Sequence, residues 1–590
     1  MMAPQQQLSR RAHARMACSS RVLATRVLAV AAPLAPPAPS ASPAPAVPTV
    51  GISERSGLKH LPEPARARAL DRKANKFEKI KVEKCGSTAW TEVFELSRLL
   101  QEGKSTWEDL NLDDVDIRMK WAGLFHRGKR TPGKFMMRLK LPNGELDARQ
   151  LRYLASTIAP YGADGCADIT TRANIQLRGF ALEDAESVIQ GLWDVGLTSF
   201  QSGMDSVRNL TGNPIAGVDP HELIDTRPLL REMEAMLFND GRGRQEFANL
   251  PRKLNICISS TRDDFPHTHI NDVGYEAVRH PESGEVVFNV VVGGMFSIKR
   301  NVVSIPLGCS ITQQQLMPFT EALLRVFRDH GPRGDRQQTR LMYAVEAIGV
   351  EKFKQLIAEY MGGAEFAPPV HVHHEQPWER RDLMGVHPQR QPGLNWVGAC
   401  VPAGRLHAAD FAEMARVAEQ YGDGTVRVTC EENVIFVNVP DEKIPAMLAE
   451  PLFQRFKVNP GLLLRGMVSC TGNQFCGFAM VETKQRAVRV VQALEEQLEL
   501  TRPVRIHFTG CPNSCGQAQV GDIGLMGAPA KLDGKAVEGF KIFLGGKIGE
   551  NPELAKKFEQ GVPAVYSHLI PRLKEILIQE FGAKEKATAA

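Results

Sequence analysis

The 590-residue chain carries a formal charge of +5, and 43% of its residues are hydrophobic, enough for two or three separate cores. No uncharged apolar run reaches the roughly eighteen residues that a membrane-spanning helix needs, which excludes one. Residues 1–50 hold five arginines and no acid, so without them the charge is about zero, and bulk charge points to neither nucleic acid nor membrane.

In chain order, Arg10, Arg11, Arg15, Arg21 and Arg26 are followed by an Ala-, Pro- and Ser-rich stretch from Ala31 to Val50, and no Asp or Glu precedes Glu54. This composition predicts an organelle transit peptide over residues 1–50; a secretory signal would show one compact apolar core. Residues 51–130 read as an N-terminal helical arm. From Lys134 a strand-like run Phe135-Met136-Met137-Arg138-Leu139-Lys140-Leu141 leads to an Asn143-Gly144 turn. A helix then places Leu151, Leu154, Ala155 and Ile158 on one face, and an extended run follows from Asp168 to Leu177.

The same order returns about 260 residues later: a strand around Trp396–Val401, a turn at Ala403-Gly404, a helix with Phe411, Met414, Ala418 and Tyr421, then Val426–Val437. Beyond these units, Thr211-Gly212-Asn213 recurs as Thr471-Gly472-Asn473, Asn271-Asp272-Val273-Gly274 as Gly521-Asp522-Ile523-Gly524, and Val292-Gly293-Gly294 as Leu544-Gly545-Gly546. Several short matches in one order at nearly constant offset indicate two homologous halves, expected to lie about a pseudo-twofold axis. The copies diverge at chemically telling positions: Arg138 aligns with Gly398, Arg172 with Glu431, Arg208 with Val468 and Leu210 with Cys470. One half keeps cations where the other keeps thiolates. Between them, Leu341–Met361 predicts a helix ended by Gly362-Gly363, and Ala364–Gly393 is a Pro-, His- and Arg-rich connector. Its His371, His373 and His374 lack neighbouring cysteines or carboxylates and are read as solvated.

Cys470 and Cys476 form a C-x5-C pair, and Cys511 and Cys515 a C-x3-C pair. Cys85, Cys166, Cys257, Cys309, Cys400 and Cys430 stand singly in apolar runs, as small buried hydrophobes do. The two pairs supply four soft ligands from two loops, which favours an iron–sulfur cluster; zinc and disulfides are the alternatives left by spacing alone.

Cys-Thr-Gly-Asn-Gln-Phe-Cys followed by Thr-Gly-Cys-Pro-Asn-Ser-Cys-Gly resembles the sirohaem and 4Fe-4S signature of the nitrite and sulfite reductase family. The resemblance covers about residues 77–580. It implies an α+β fold of two pseudo-twofold halves, each with a ferredoxin-like β-α-β unit and a larger sirohaem- and cluster-binding α/β unit, in about three domains. The segments expected on that basis are the ferredoxin-like units 131–200 and 394–458, the larger units 201–363 and 459–590, and the connector 364–393. Cys470, Cys476, Cys511 and Cys515 would ligate the cluster, Cys515 bridging it to sirohaem. Arg138, Arg208 and Lys253, with Asn255, would face the substrate. Arg172 and Arg252 would meet the carboxylates of the macrocycle, with Asn174, Asn213 and Asn513 as further cofactor contacts.

Lys253-Leu254-Asn255 resembles the Lys-x-Asn of the nitrite-reducing branch, whereas the sulfite branch resembles Lys-x-Lys. Val115-Asp116-Ile117-Arg118-Met119-Lys120-Trp121 also looks like plant and algal members. No G-x-G-x-x-G follows a strand, so electrons are expected from a partner. The resemblance implies reduced ferredoxin, docking transiently by charge, six-electron reduction of nitrite to ammonium, a chloroplast-stroma location and a monomer. A sulfite reductase and a non-enzymatic iron–sulfur protein are the competing expectations.

Overall fold

A computed structural model describes residues 53–587; the leader expected over residues 1–50 lies outside the described residues. The N-terminal arm contains the helices Glu63–Leu70, Lys76–Glu83 and Ala89–Gln101. Asn75 begins the second by accepting hydrogen bonds from the backbone N–H groups of Phe77 and Glu78. The third buries Ala89, Trp90 and Val93, and Trp90 Nε1 donates to the Trp121 carbonyl at 3.1 Å. Buried ion pairs from Lys81 to Asp205 (3.1 Å) and from Arg333 to Glu78 (2.8 Å) fasten the arm to the body. The arm ends sooner than the sequence suggested, because Leu124–Arg127 is a strand paired antiparallel with Thr131–Arg138.

The repeated β-turn-α-β units form two five-stranded sheets with matching order. In the first, Leu124–Arg127, Thr131–Arg138, Asn174–Arg178 and Ala167–Thr170 stand side by side, followed by Arg405–Leu406. In the second, Gly385–Pro388, Leu394–Ala399, Val434–Pro440 and Thr425–Val428 are followed by Glu145–Asp147. The fifth strand of each sheet therefore comes from the other half: Arg405 pairs with Asp168, and Thr425 pairs with Asp147. Each exchanged strand follows a sharp turn at Asn143 (φ 57°) or Ala403 (φ 51°). The helices Ala148–Ile158 and Ala408–Tyr421 pack against each other, and one apolar core runs through both halves. Asp147 and Gln150 start the first of these helices with a reciprocal capping box.

The larger units are built on a four-stranded sheet containing Ile256–Ser259 and Val273–Arg279, and a five-stranded sheet containing Ile506–Thr509 and Ile523–Leu532. In each, this pair runs parallel. The repeated Asp-x-Gly motif has a physical reason in both. Asp272 accepts the N–H of Asn255 at 2.7 Å, and Asp522 that of Arg505 at 2.8 Å. A Cβ at Gly274 or Gly524 would collide with Thr268 (2.3 Å) or with the Ala518 carbonyl (1.9 Å). The predicted helix over 341–361 is two helices, Leu341–Ile348 and Val350–Tyr360, broken where Gly349 adopts φ 88°. His371, His373 and His374 are exposed in the connector. Among the described residues no helix is long and apolar enough to cross a membrane.

Candidate active site

The cations and thiolates predicted from the repeat converge on one cleft enclosing about 1050 Å³, part of it open to solvent. Arg138 enters from the end of the strand Thr131–Arg138, and Arg172 and Asn174 from the hairpin between Ala167–Thr170 and Asn174–Arg178. Arg208 lies on a segment running parallel to Leu254 and Cys257, and Lys253 and Asn255 lead into the strand Ile256–Ser259. The second half contributes Cys470, just after the strand Met467–Ser469, and Asn513 and Cys515 from the loop after Ile506–Thr509.

The cationic wall carries charge that the protein does not balance. Among the described residues no carboxylate lies within 4.0 Å of the side-chain nitrogens of Arg138, Arg172, Arg208, Arg252 or Lys253. Arg138 Nη1 donates to the Ser202 carbonyl (3.2 Å), and its guanidinium sits 4.6 Å from the centre of the Phe125 ring. Arg208 Nη2 donates to the Met204 carbonyl (2.8 Å), while its buried Nη1 has no partner. Arg172 donates to Asn271 Oδ1 (2.7 Å) and the Asn209 carbonyl (2.6 Å), leaving Nε unpartnered. Burial and then Arg127 bring Arg138 down to about 10. Burial, Arg138 and Arg252 push Arg208 well below its ordinary range, and burial, Arg340 and Arg252 do the same to Lys253. A bound polyanion would relieve both the desolvation and the repulsion. Sirohaem, with eight carboxylates, fits these unpartnered donors.

The wall where the second half meets the first is charged but balanced. Asp168 pairs with Arg178 (2.7 Å) and Arg405 (2.6 Å), and lies 3.7 Å from Lys484. Burial alone would raise its pKa, yet Lys484, Arg405 and Arg178 hold it well below the carboxylate range. Arg178 also donates to Thr471 Oγ1 at 2.8 Å, and Glu432 accepts the N–H of Ser469 at 3.1 Å. A buried ion network therefore holds the Ser469–Thr471 segment on which Cys470 sits.

Of the four paired cysteines, only Cys515 is exposed, and it lines the cleft; Cys476 and Cys511 stand outside it. The Gly510 N–H donates to Cys470 Sγ at 3.1 Å, and Asn513 Nδ2 to Cys511 Sγ at 3.6 Å. Burial pushes the Cys470 thiol up to about 11 and raises Cys511, so thiolates there call for a cation to hold them. Among the described residues no three His, Cys, Asp or Glu side chains converge as a single ion requires. A cubane spreads its four thiolates over a larger body, and the set fits that group. The six single cysteines are buried.

Two expected contacts fall elsewhere. Asn213 is buried away from the cleft, its amide donating to Asp219 (2.8 Å) and accepting from Ile215 N–H (3.0 Å), so it shapes a turn. Arg252 is not among the lining residues, although it lies close enough to repel Arg208 and Lys253. The Asn174 amide donates to the Leu139 carbonyl at 2.7 Å, so it braces the hairpin as well as lining the cleft. The sequence reading missed Arg340, which lines the cleft and grips Asp272 with two bonds of 2.9 and 2.6 Å, fixing the carboxylate that holds Asn255. No local motif marks it.

The chain matches the model described as "Nitrite and sulphite reductase 4Fe-4S domain" over residues 203–364 and 461–587. It matches that described as "Nitrite/Sulfite reductase ferredoxin-like half domain" over 127–194 and 387–454. It is 48% identical over 517 residues to the chloroplastic ferredoxin–nitrite reductase of Zea mays, covering 86% of this chain and 90% of that one. It is 47% identical over 526 residues to the ferredoxin–nitrite reductase of Synechococcus elongatus, covering 89% and 100%. The solved structure of Mycobacterium tuberculosis NirA superposes with a TM-score of 0.78 at 26% identity, covering 88% of this chain and 95% of that one.

Proposed function

The chain belongs to the nitrite and sulphite reductase family, and from that premise we propose that it reduces nitrite to ammonium with electrons from ferredoxin, in a plastid. The observation that carries this reading is the cluster of half-buried cations without carboxylate partners among the described residues, facing the exposed Cys515 across one cleft. Plastid residence rests on the leader's composition and on the chloroplastic relatives.

Sirohaem and a 4Fe-4S cluster, when bound, supply the metal centre at which N–O bonds are reduced and a one-electron store beside it. Cys470, Cys476, Cys511 and Cys515 are the thiolates that would hold the cluster; Cys470 and Cys515 line the cleft, and Cys515, the exposed one of the four, would be its link toward sirohaem. Arg172, on the cleft wall, would offset macrocycle carboxylates, with Arg252, which does not line the cleft, adding positive charge near Arg208 and Lys253. Arg138, Arg208 and Lys253 bind and orient the anion: guanidinium N–H groups suit the two oxygens of planar nitrite, and the ammonium adds a compact charge. The overall change consumes six electrons and eight protons per nitrite and yields ammonium and two waters. Lys253, destabilised as a cation by burial, Arg340 and Arg252, can release a proton from Nζ more readily than a free lysine. Arg138, brought down only to about 10, stays charged and can stabilise the oxygens of the bound anion as they depart. Asn255 puts a neutral amide where the sulfite branch carries a second ammonium, which suits a monoanion over a dianion.

The test is turnover of nitrite and of sulfite by the chain without its leader, made in cells that synthesise sirohaem, with reduced ferredoxin as donor. A strong nitrite preference with ammonium as product supports the reading. Sulfite preference would remove the meaning given to Asn255 and leave the cofactor set standing.

A further inference from the structure

The cluster-bearing loop has an outer face that the mechanism above does not use. Cys476 is followed by Gly477, Phe478, Ala479 and Met480, a tight turn in which the Ala479 N–H donates to the Cys476 carbonyl (3.3 Å) and the Met480 N–H to the Gly510 carbonyl (2.8 Å). Phe478 is 71% exposed, the second-highest exposure among the large hydrophobic side chains of the described residues, and Met480 is 39% exposed. Both belong to a loop whose other side carries a cluster cysteine, so their exposure is not that of a loose tail.

Beside this loop stands the turn Gly128–Arg130 of the first sheet's edge hairpin. Its Lys129 stem packs on Gly477: a Cβ there would lie 3.4 Å from Lys129 Cδ. Lys129 and Arg130 are exposed, and among the described residues neither has a carboxylate within 4.0 Å. Lys134 on the same hairpin also lacks an acidic partner and shares a small pocket with Phe475 of the cluster loop. Two exposed apolar side chains flanked by unpaired cations, one residue pair removed from a cluster ligand, form an apolar centre with a basic rim.

We propose that Phe478 and Met480, with Lys129 and Arg130, form the surface on which the electron donor docks, a small acidic iron–sulfur protein that delivers one electron at a time. The inference rests on the functional reading above and adds where the donor sits. Charge complementarity selects the occupant: unpaired cations attract an acidic surface from beyond contact, and the aromatic side chain gives the encounter a fixed point. Docking over the Cys476 loop keeps the electron's route short and leaves the substrate cleft, which neither Phe478 nor Met480 lines, open to nitrite.

The experiment uses the holoenzyme and two reductants, reduced ferredoxin and reduced methyl viologen, at low and high salt, with calorimetric titration of oxidised ferredoxin as a second readout. The doubly reversed variant Lys129→Glu/Arg130→Glu is expected to raise the KM for ferredoxin roughly tenfold at low salt and to flatten its salt dependence, with viologen-driven turnover unchanged. Phe478→Ser should weaken ferredoxin binding at all salt concentrations, and Lys129→Arg/Arg130→Lys should bind as the unaltered protein does. Unchanged ferredoxin affinity in the charge-reversed variant, or an equal loss with both donors, would overturn the proposal. A dimer that Phe478→Ser dissociates would assign the patch to a second copy and overturn it too. Nitrite turnover with viologen but none with ferredoxin would refute the donor, and turnover with neither would refute the functional reading itself.

Discussion

Replacing Arg208 by methionine is expected to stabilise the cofactor-free protein while crippling the enzyme. The guanidinium makes one hydrogen bond, to the Met204 carbonyl, and leaves a buried Nη1 without a partner among cations that repel it. Losing a hydrogen bond costs about 1 kcal/mol, and a buried donor left unmade costs about 1–3 kcal/mol before any repulsion is counted. Methionine keeps the length of the side chain and removes charge and donors together, so the apo protein should gain about 1–2 kcal/mol. In the loaded enzyme the same change deletes a charged hydrogen bond to the anion worth about 1.5–3 kcal/mol, or about 10- to 150-fold in kcat/KM for nitrite. Urea unfolding of the apo protein and steady-state kinetics of the holoenzyme measure the two effects. An apo variant less stable than the unaltered protein would refute the reasoning, because the arginine would then be structural and not a cation held in waiting.

Asn255→Lys should shift the ratio of nitrite to sulfite turnover toward sulfite; an unchanged ratio under identical donor conditions counts against the reading of Asn255. Asp168→Asn leaves Arg178, Arg405 and Lys484 without their shared carboxylate and should cost about 3–5 kcal/mol of stability, with iron lost from the protein as the Cys470 segment loosens; denaturation and iron content test it. Glu234, pushed up from 4.5 to about 7 by burial against the pull of Lys140, binds its proton more tightly when folded. Its contribution is therefore intact below pH 4.5 and is lost as pH rises to about 7. Glu234→Gln should match the unaltered protein at pH 4 and exceed it by about 1–3 kcal/mol at pH 8, and equal stabilities at pH 8 would sink the argument.

What could be read from the sequence was what chemistry packs into short contiguous motifs. Cys470 and Cys515, one from each cysteine pair, reach one cleft with Arg138, Arg172, Arg208, Lys253 and Asn255, because each sits at a strand end or turn that the repeat had already located. Asn213 misled because the Thr-Gly-Asn triplet repeats for the sake of a turn, which the same triplet at Thr471 also makes beside a cysteine. Arg340 and Asp168 escaped notice because their importance lies in ion pairs formed across the fold, to Asp272 and to Arg405. The break at Gly349 was hidden within an apolar periodicity that continues on both sides of it.

The exchange of edge strands between the halves also constrains how the molecule is made and how it works. On the ribosome, the first sheet lacks its fifth strand until residues 405 and 406 have emerged, so the N-terminal copy remains incomplete for most of synthesis. Cutting the gene between the repeats would give two fragments, each missing an edge, and neither should fold soundly without the other present. In the finished protein the same interlock ties the halves to each other through both sheets, so a change at one exchanged edge strand is felt in the other copy's sheet.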